Sequence, residues 1–393
     1  MRYDVIILGA GAAGLMAGIE AARRGRSVLL LDHAKAPGEK IRISGGGRCN
    51  FTNLHVAPEK FLSQNPRFAL SALRRFTQHD FIARVSAAGI AWHEKTLGQL
   101  FCDGSARQIV DLLVRDFTDA GGTLRLGVSI SRVAPGFSVT TDQGVLHAKA
   151  VIVATGGKSI PRMGATGLAY DIARGFGLRL VDTRPGLVPL TFSDQQLDWM
   201  RPQAGIAVQA RVGLARVGLA GAKISFAEGL LFTHRGLSGP SILQISNYWR
   251  EGQALRVDLA QGRDLRAELM AAKQSGGGKD VVNTLDLPDK LARSVVARAG
   301  VSGRLGDLGK PALSALHDAV HNWQIVPQGT EGYRTAEVTL GGVDTRDLDA
   351  RTMQARAVPG LFFVGEAVDV TGWLGGYNFQ WAWSSGWAAG QVA

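Results

Sequence analysis

The sequence predicts an α/β fold in which a parallel sheet forms the middle of three layers and a second module is inserted into the chain. Three observations predict it. The chain opens with an apolar strand, a glycine turn, a helix and a second apolar strand, which is the order of a βαβ unit. Apolar strand patterns return at residues 149–154 and 359–366. Between residues 189 and 333 the pattern changes to alternating strands and then to polar helices.

The opening unit can be placed residue by residue. Residues 3–8 predict a buried strand, and a helical pattern then runs to Arg24, with Gly25 as its stop. Residues 27–31 predict a second strand, and Asp32 stands at its end. This order and length match the dinucleotide-binding fingerprint.

Each glycine of this turn has a separate physical task. Gly9 permits a tight turn, Gly11 lets the backbone approach a diphosphate, and Gly14 lets the helix pack closely on the strand. The free N–H groups at the start of the helix favour phosphate, and Asp32 accepts hydrogen bonds from ribose hydroxyl groups. The helix positions expected to face the phosphates are Ala12 and Ala13.

Composition limits the class of protein. The chain has 393 residues, of which 46% are hydrophobic and 20% charged, as in a globular protein of two or three domains. No apolar run has the length of a membrane span, and Asp4 interrupts the one stretch that resembles a secretory signal. The two cysteines, Cys49 and Cys102, give no disulfide framework, so a cytoplasmic location is expected. No metal site is expected, and the oligomeric state is not predicted.

The formal net charge of +11 indicates anionic partners. The basic residues are scattered and no run of five occurs. An anionic cofactor and a small-molecule substrate are therefore favoured over nucleic acid, which stays open as a partner.

A second glycine-rich segment follows the opening unit. Three consecutive glycines suit backbone that passes close to a planar or anionic ligand, and cations and short hydrogen-bond donors surround them. A flexible loop is the alternative. The expected cofactor contacts in this segment are Lys40, Ser44, Gly45, Gly46, Gly47, Arg48, Cys49 and Asn50.

The remaining elements are predicted from periodicity and turn residues. Helices are expected at 67–88, from the Ser105/Gln108 capping pair to 120, at 164–176 and at 379–392. Strands are expected at 123–133, 137–141, 145–148, 149–154, 337–343 and 359–366. Alternation at Val208, Val212 and Val217 makes residues 189–262 β-rich, and residues 263–333 are mainly helical.

Several motifs together resemble the YhiN-type bacterial flavoproteins, also described as aminoacetone-oxidase-like or NAD(P)/FAD-dependent oxidoreductases. The resemblance spans nearly the whole chain. The segments that carry it are ISGGGRCNFTN at 43–53, ATGG at 154–157, THRGLSGP at 233–240, GEAVD at 365–369 and YNFQWA at 377–382.

The resemblance implies a discontinuous, Rossmann-like FAD-binding domain at residues 1–188 and 334–393. Residues 189–333 would form an inserted β-barrel-like and helical module that serves as the substrate lid. FAD would be bound non-covalently, with Val128 contacting the adenine side through its backbone. The remaining expected contacts are His33, Ala154, Thr155, Gly156, Gly365, Glu366, Asp369, Gly375, Gly376, Tyr377 and Asn378.

Two features depart from the pattern of this family. Asp32 stands where such FAD folds more often carry Glu, so its shorter arm needs a water molecule to reach the ribose. Trp373 and Leu374 are bulkier than the residues of relatives and would reshape the substrate side.

No catalytic residue is fixed by the sequence. Cys49 is either a reactive thiolate or, as favoured, an inert buried thiol beside the flavin. His234 and Arg235 are either an acid and an anion clamp or part of a structural turn. Tyr377 is either a proton donor or a packing residue.

The expected activity is an FAD-dependent oxidoreduction by hydride transfer on a small or medium organic substrate. The resemblance implies two chemistries, reduction of a conjugated C=C bond or oxidation of an aminoketone by O2. Because there is no second dinucleotide fingerprint, NAD(P)H would act as a transient electron donor without a domain of its own. An RNA-associated flavoprotein, similar to tRNA-modifying enzymes, and a flavin-binding protein without turnover are the alternatives.

Overall fold

The computed structural model describes residues 2–215 and 224–393. Val217, one of the residues in the predicted alternating pattern, lies outside the described residues. The chain forms two compact units, Met1–Pro185 with Glu337–Ala393 (unit 1) and Gly186–Ala336 (unit 2).

The strands are numbered in chain order. They are β1 (Arg2–Leu8), β2 (Val28–Asp32), β3 (Asn50–Asn53), β4 (Phe61–Leu62), β5 (Trp92–Glu94), β6 (Gln99–Cys102), β7 (Thr123–Leu126), β8 (Ile130–Ala134), β9 (Ser138–Thr141), β10 (Gly144–Val153), β11 (Leu180–Gly186), β12 (Leu190–Thr191), β13 (Ala207–Leu214), β14 (Ser225–Thr233), β15 (Gly236–Ser238), β16 (Leu255–Asp258), β17 (Trp323–Ile325), β18 (Gly329–Thr330), β19 (Val338–Val343), β20 (Leu361–Phe363) and β21 (Thr371–Gly372).

The α-helices are numbered in the same way. They are α1 (Ala12–Arg23), α2 (Glu39–Ile43), α3 (Leu70–Arg75), α4 (Gln78–Ala87), α5 (Arg107–Asp119), α6 (Leu168–Gly175), α7 (Asp194–Met200), α8 (Pro240–Ser246), α9 (Leu265–Gln274), α10 (Asp289–Arg298), α11 (Lys310–His321) and α12 (Tyr377–Gly390). None of those in the described part of the chain combines the length and apolarity that crossing a bilayer requires.

A parallel sheet forms the centre of unit 1. Its order is β7-β2-β1-β10, with β20 also paired to β10, and all of these pairings are parallel. Ile6 lies beside Leu29 of β2 on one side and Val151 of β10 on the other. The carboxyl halves of β1 and β10 and most of β2 are apolar and buried, as in parallel sheets covered by helices, which confirms the predicted α/β class.

Two strand predictions need correction. The expected strand 123–133 is divided into β7 and β8, because Gly127 turns the chain and the Val128 N–H donates to the Asp32 carbonyl oxygen at 2.9 Å. The expected strands 145–148 and 149–154 form the single strand β10. Its first half pairs antiparallel with β9 and its second half parallel with β1.

The helix predictions also change in detail. The expected helix 67–88 is divided into α3 and α4, because Thr77 and Asp80 form a capping box that starts a new helix. The expected helix 164–176 begins only at Leu168, since Gly164 and Gly167 both adopt a positive φ. The predicted pair Ser105/Gln108 is joined by a 3.1 Å hydrogen bond, although α5 begins at Arg107.

Unit 2 contains a seven-stranded sheet in the order β17-β16-β13-β14-β15-β12-β18. Every pairing in it is antiparallel, so hairpins and meanders replace the crossovers of unit 1. The helices α9, α10 and α11 occupy the part predicted to be helical, and α7 and α8 interrupt the part predicted to be β-rich. Phe232 stacks on Trp323 with ring centroids 6.0 Å apart.

The first and last helices of the chain pack directly on each other in unit 1. A Cβ atom on Gly386 would lie 2.3 Å from the Ala13 carbonyl oxygen, and one on Gly390 would lie 2.6 Å from the Ala17 carbonyl oxygen. Backbone therefore contacts backbone along α1 and α12, which only glycine allows at this distance.

Replacing Gly386 by alanine is expected to lower the free energy of unfolding by about 1–3 kcal/mol, because the added methyl group pushes the two backbones apart. Gly175 in α6 is the matched control, since a Cβ there meets no atom within 4 Å. Thermal unfolding followed by circular dichroism should show a lower Tm for Gly386→Ala and no loss for Gly175→Ala. Equal midpoints would contradict the packing described for α1 and α12.

Candidate functional site

Three loops meet where the parallel strands of unit 1 end. The Gly9 N–H donates to the Leu31 carbonyl oxygen at 2.7 Å, the Ala154 N–H to the Leu8 oxygen at 2.8 Å, and the Val364 N–H to the Val153 oxygen at 3.1 Å. The loops after β1, β10 and β20 therefore leave the sheet side by side at its carboxyl edge. This edge is where open α/β sheets bind their ligands.

The three glycines of the first loop differ in their surroundings. Gly9 has φ +106°, and a Cβ atom on it would lie 2.5 Å from the Ala154 carbonyl oxygen. A Cβ on Gly14 would lie 1.9 Å from the Gly9 carbonyl oxygen. Gly11 is different, because a Cβ there meets no atom within 4 Å. The protein itself needs Gly9 and Gly14, whereas Gly11 borders open space at the start of α1.

The first turn of α1 presents backbone donors to that space. Its first intrahelical bond runs from the Leu15 N–H to the Gly11 carbonyl oxygen at 3.0 Å, and no side chain caps the helix. The N–H groups of Ala12, Ala13 and Gly14 precede that bond. A helix start of this kind favours a diphosphate, and open space at Gly11 is what such a ligand requires.

Asp32 orients the glycine turn. Its Oδ2 accepts the Ala10 N–H at 2.6 Å and its Oδ1 accepts the Ala34 N–H at 2.8 Å. His33 is half exposed and places Nδ1 3.3 Å from Oδ1 of Asp32. Val128 is buried against the same strand end. The predicted ribose acceptor thus already has a structural role, and the predicted adenine-side residue lies next to it.

Glu366 forms a polar cluster that the sequence did not predict. Its Oε2 lies 2.7 Å from Nζ of Lys40, and its Oε1 accepts the Ser159 hydroxyl at 2.8 Å and the Thr339 N–H at 2.9 Å. Ser159 and Thr339 are buried. Lys40 and Glu366 were predicted as separate cofactor contacts, and the structure joins them in one ion pair beside the 154–157 turn.

The hydroxyl group of Thr155 differs from that of Ser159 in its hydrogen bonding. Among the described residues, its buried Oγ1 has no hydrogen-bond partner. A buried hydroxyl without a partner costs free energy unless a ligand or water satisfies it. Thr155 lies beside Gly9, so this donor belongs to the same ligand-binding edge.

The start of α12 lies against the second glycine-rich segment. Gly376 has φ +93°, and a Cβ on it would lie 2.4 Å from the Thr52 carbonyl oxygen. The Asn53 amide donates to the Gly375 carbonyl oxygen at 2.9 Å. Asn378 uses its amide on the Gly372 backbone, accepting at 2.8 Å and donating at 2.9 Å. The helix start is therefore fixed in place next to β3.

The glycines of the second segment form a short 3-10 turn at Ser44–Gly47. Gly46 and Gly47 have positive φ, and a Cβ on either would meet no atom within 4 Å. Arg48 is exposed, and Asn50 lies within reach of Gln99 at 3.2 Å. The turn is thus open on one side and closed by β6 on the other.

A known family accounts for nearly the whole chain. The family model described as HI0933-like protein Rossmann domain matches residues 3–392. The chain belongs to the HI0933-like family. It is an oxidoreductase of the FAD-dependent type, which confirms the class of enzyme predicted from the motifs.

Two relatives and one solved structure illustrate which proteins this chain resembles. A protein of Escherichia coli (strain K12) named ribosomal RNA dihydrouridine synthase is 49% identical over 99% of this chain and 98% of its own length. A Clostridium scindens protein named 3-dehydro-bile acid delta(4,6)-reductase is 28% identical over 98% of both chains. The structure of a 3-ketosteroid-delta4-(5alpha)-dehydrogenase from Rhodococcus jostii has a TM-score of 0.50 at 15% identity, covering 99% of this chain and 97% of its own, and shares the fold.

The catalytic candidates within this HI0933-like chain have contrasting environments. Cys49 is fully buried with φ +50°, and burial raises the pKa of its thiol far above the usual range. Burial also raises the pKa of Cys102 to about 11. Tyr377 is buried and packs edge-on against Phe61 with centroids 6.1 Å apart. Burial therefore disfavours the thiolate form of Cys49.

His234 and Arg235 belong to unit 2. They form the two-residue turn between β14 and β15, and both are exposed. The Arg235 N–H donates to the Thr233 hydroxyl at 3.3 Å. These observations favour the structural-turn alternative for both residues.

Asp369 is a predicted cofactor contact, and its carboxylate is hydrogen-bonded within the protein. It is buried, its Oδ2 accepts the Gln64 N–H at 2.9 Å, and burial raises the pKa of its carboxyl. Within the described residues, no group of three or more histidine, cysteine or acidic side chains is arranged to hold a metal ion.

Leu97 is a residue that the sequence reasoning missed. It lies at the tip of the β5–β6 hairpin with φ +58°, and 59% of it is exposed. Its carbonyl oxygen accepts the Asn53 amide at 3.1 Å, and the same amide bonds Gly375. An exposed leucine in a left-handed conformation is uncommon and points to a functional constraint. Composition and periodicity contain no signal for such a position.

Glu337 was missed as well. It precedes β19 by one residue and lies on the same side of that strand as Thr339. Its side chain keeps contact with solvent, while desolvation by the surrounding protein raises the pKa of the carboxyl to about 6.

The two thiols give a direct test of the site chemistry. We expect neither Cys49 nor Cys102 to react with a thiol reagent such as dithionitrobenzoate in the folded protein, because both are buried and protonated. Both should react after unfolding in guanidinium. The measurement is the release of thionitrobenzoate, and rapid release from the folded protein would restore Cys49 as a candidate nucleophile.

Proposed function

We propose that this protein reduces uracil bases of ribosomal RNA to dihydrouracil, using FAD bound at the carboxyl edge of the unit 1 sheet. The observation that carries the proposal is the 49% identity, along almost the entire length of both chains, to a relative named ribosomal RNA dihydrouridine synthase. Composition favours a small organic substrate, with RNA as the alternative. The similarity to this relative makes RNA the favoured substrate. The net charge of +11 fits an RNA substrate.

The placement of the cofactor follows from the open space and donors of unit 1. We assign the diphosphate to Gly11 and the first turn of α1, the ribose side to Asp32, and the ring end to the start of α12. The buried Thr155 hydroxyl is assigned a hydrogen bond to the cofactor. When bound, reduced FAD supplies a hydride.

The chain itself contributes electrostatics and orientation at this site. The N-terminal ends of α1 and α12 offer positive potential to the anionic groups of the cofactor. The Lys40–Glu366 pair fixes the loop after β20 against the 154–159 turn. These groups bind and orient, and no residue of the chain is assigned as proton donor.

The proposed reaction is of the same class as the reaction named for the second relative, the Clostridium scindens protein. The C5=C6 bond of uracil is conjugated with a carbonyl group, and its reduction adds one hydride and one proton. The name of the Clostridium scindens relative also describes reduction, in a bile acid. A common reaction class, reduction of a conjugated C=C bond, accounts for both names, and NAD(P)H is the proposed electron donor.

A base within RNA must leave its stack before an enzyme can act on it. Leu97 is an exposed apolar side chain on a constrained hairpin tip, tied through Asn53 to Gly375. We assign it to contact the substrate base.

The function is tested by incubating the FAD-loaded protein with deproteinised ribosomal RNA and either NADPH or NADH under anaerobic conditions. Dihydrouridine should form with oxidation of the nicotinamide, as measured by mass spectrometry of RNA digests. Protein without FAD, and FAD-loaded protein without nicotinamide, provide the controls. Flavin reduction without any dihydrouridine would argue against RNA as the substrate.

Alanine substitutions at Gly11 and Gly9 separate cofactor binding from folding. Gly11→Ala should fold with an unchanged Tm and lose most of its FAD affinity, because the methyl group enters space that the structure leaves open. Gly9→Ala should lower the Tm, because its methyl group meets the Ala154 backbone. Tm by calorimetry and FAD binding by fluorescence quenching check both. Unchanged FAD affinity in Gly11→Ala would refute the diphosphate placement.

A further inference from the structure

A cavity of about 430 Å³ opens beside the second glycine-rich segment of unit 1. Helix α2, the Ser44–Gly47 turn, the start of α5 and the 3-10 turn Pro161–Met163 contribute to its wall. We call it the arginine groove and define it by Arg42, Ile43, Gly47, Arg107, Arg162 and Met163. Its volume is within the range of small-ligand sites.

Three guanidinium groups give the groove its charge. Among the described residues, no carboxylate oxygen lies within 4 Å of Arg42, Arg107 or Arg162, although Glu39 is part of the lining. Other arginines of unit 1 are paired, such as Arg84 with Asp116 at 3.1 Å. The groove therefore concentrates positive charge that the protein does not neutralise.

The arginine groove also has an apolar surface and open backbone. Ile43 is 51% exposed, and Met163 lies on the opposite segment of the lining. Gly47 has φ +85°, and a Cβ atom on it would meet no atom within 4 Å, so a ligand can approach its backbone. Arginine forks match phosphate oxygens, and exposed apolar side chains suit ribose or base faces.

We propose that the arginine groove binds the phosphate backbone of the RNA substrate. The proposal rests on the proposed function and assigns a binding surface to it. Gly47 belongs both to the groove and to the Ser44–Gly47 turn, so the groove adjoins the second glycine-rich segment. The three arginines are separate in sequence and meet only in the folded unit, so no basic run in the sequence marks them.

The test compares two triple variants with the same change in net charge. Arg42→Gln, Arg107→Gln and Arg162→Gln remove the groove cations. Arg74→Gln, Arg115→Gln and Arg132→Gln remove three other exposed arginines of unit 1 and provide the control. The probe is fluorescein-labelled oligouridylate, measured by anisotropy over a series of salt concentrations with FAD-loaded protein.

The groove variant should bind the oligonucleotide about tenfold more weakly, and the slope of log affinity against log salt should fall by about 2, since each contact to single-stranded RNA contributes about 0.7. The control variant should keep the slope of the native protein. FAD content should be the same in all three proteins. Equal slopes for the two variants would overturn the proposal.

Two further outcomes would assign the groove to a ligand other than RNA. Loss of FAD in the groove variant would make the arginines part of the cofactor site and would overturn the proposal. Slower flavin reduction by NADPH relative to NADH, with RNA binding unchanged, would assign the groove to the 2′-phosphate of NADPH and would also overturn it. If the groove variant shows the smaller slope but the native protein forms no dihydrouridine, the proposed function fails and the groove assignment stands.

Discussion

The contact of α12 with α1 is the interaction on which the rest of unit 1 depends. Because Gly386 and Gly390 have no side chains, the last helix lies on the backbone of the first. From that position the indole N–H of Trp381 donates to the Gly365 carbonyl oxygen at 3.0 Å, and that of Trp383 donates to the Phe51 oxygen at 2.8 Å. One helix therefore fixes the loop after β20 and strand β3 at the same time.

This arrangement explains how residues far apart in sequence form one site. The Gly365 N–H donates to the Ser385 hydroxyl at 3.0 Å, and the Thr52 hydroxyl donates to Gln380 at 2.7 Å. Ser385 and Gln380 both project from α12, Ser385 toward the loop after β20 and Gln380 toward strand β3. A buried, satisfied polar contact is costly to break, so the network holds the loops in one arrangement. The tryptophans serve this packing.

Much of the fold could be predicted because its signals are local. The spacing of Gly9, Gly11 and Gly14 between two apolar runs is sufficient to place the first βαβ unit. The partner of a strand is not a local property, so the double pairing of β10 was missed. The break at Thr77 was also missed, because one amphipathic pattern continues through both α3 and α4.

The residues of the candidate site likewise include some that local sequence predicts and some that it does not. Its glycine positions could be predicted from turn requirements, but the Ser159–Glu366 hydrogen bond joins residues that are distant in sequence. The left-handed Leu97 could not be predicted, since leucine gives no indication of positive φ. The arginine groove likewise arises from three separate segments. Side chains that meet only through tertiary packing are the part that sequence patterns do not contain.

We propose that the N-terminal ends of α1 and α12 hold one FAD molecule between them. Hydrogen–deuterium exchange of the protein with and without FAD tests this placement most directly. FAD should slow exchange in both peptides at once, around Gly11–Gly14 and around Gly376–Gln380, while the turn at His234 and Arg235 is unchanged. Protection of only one helix start, or of neither, would contradict it.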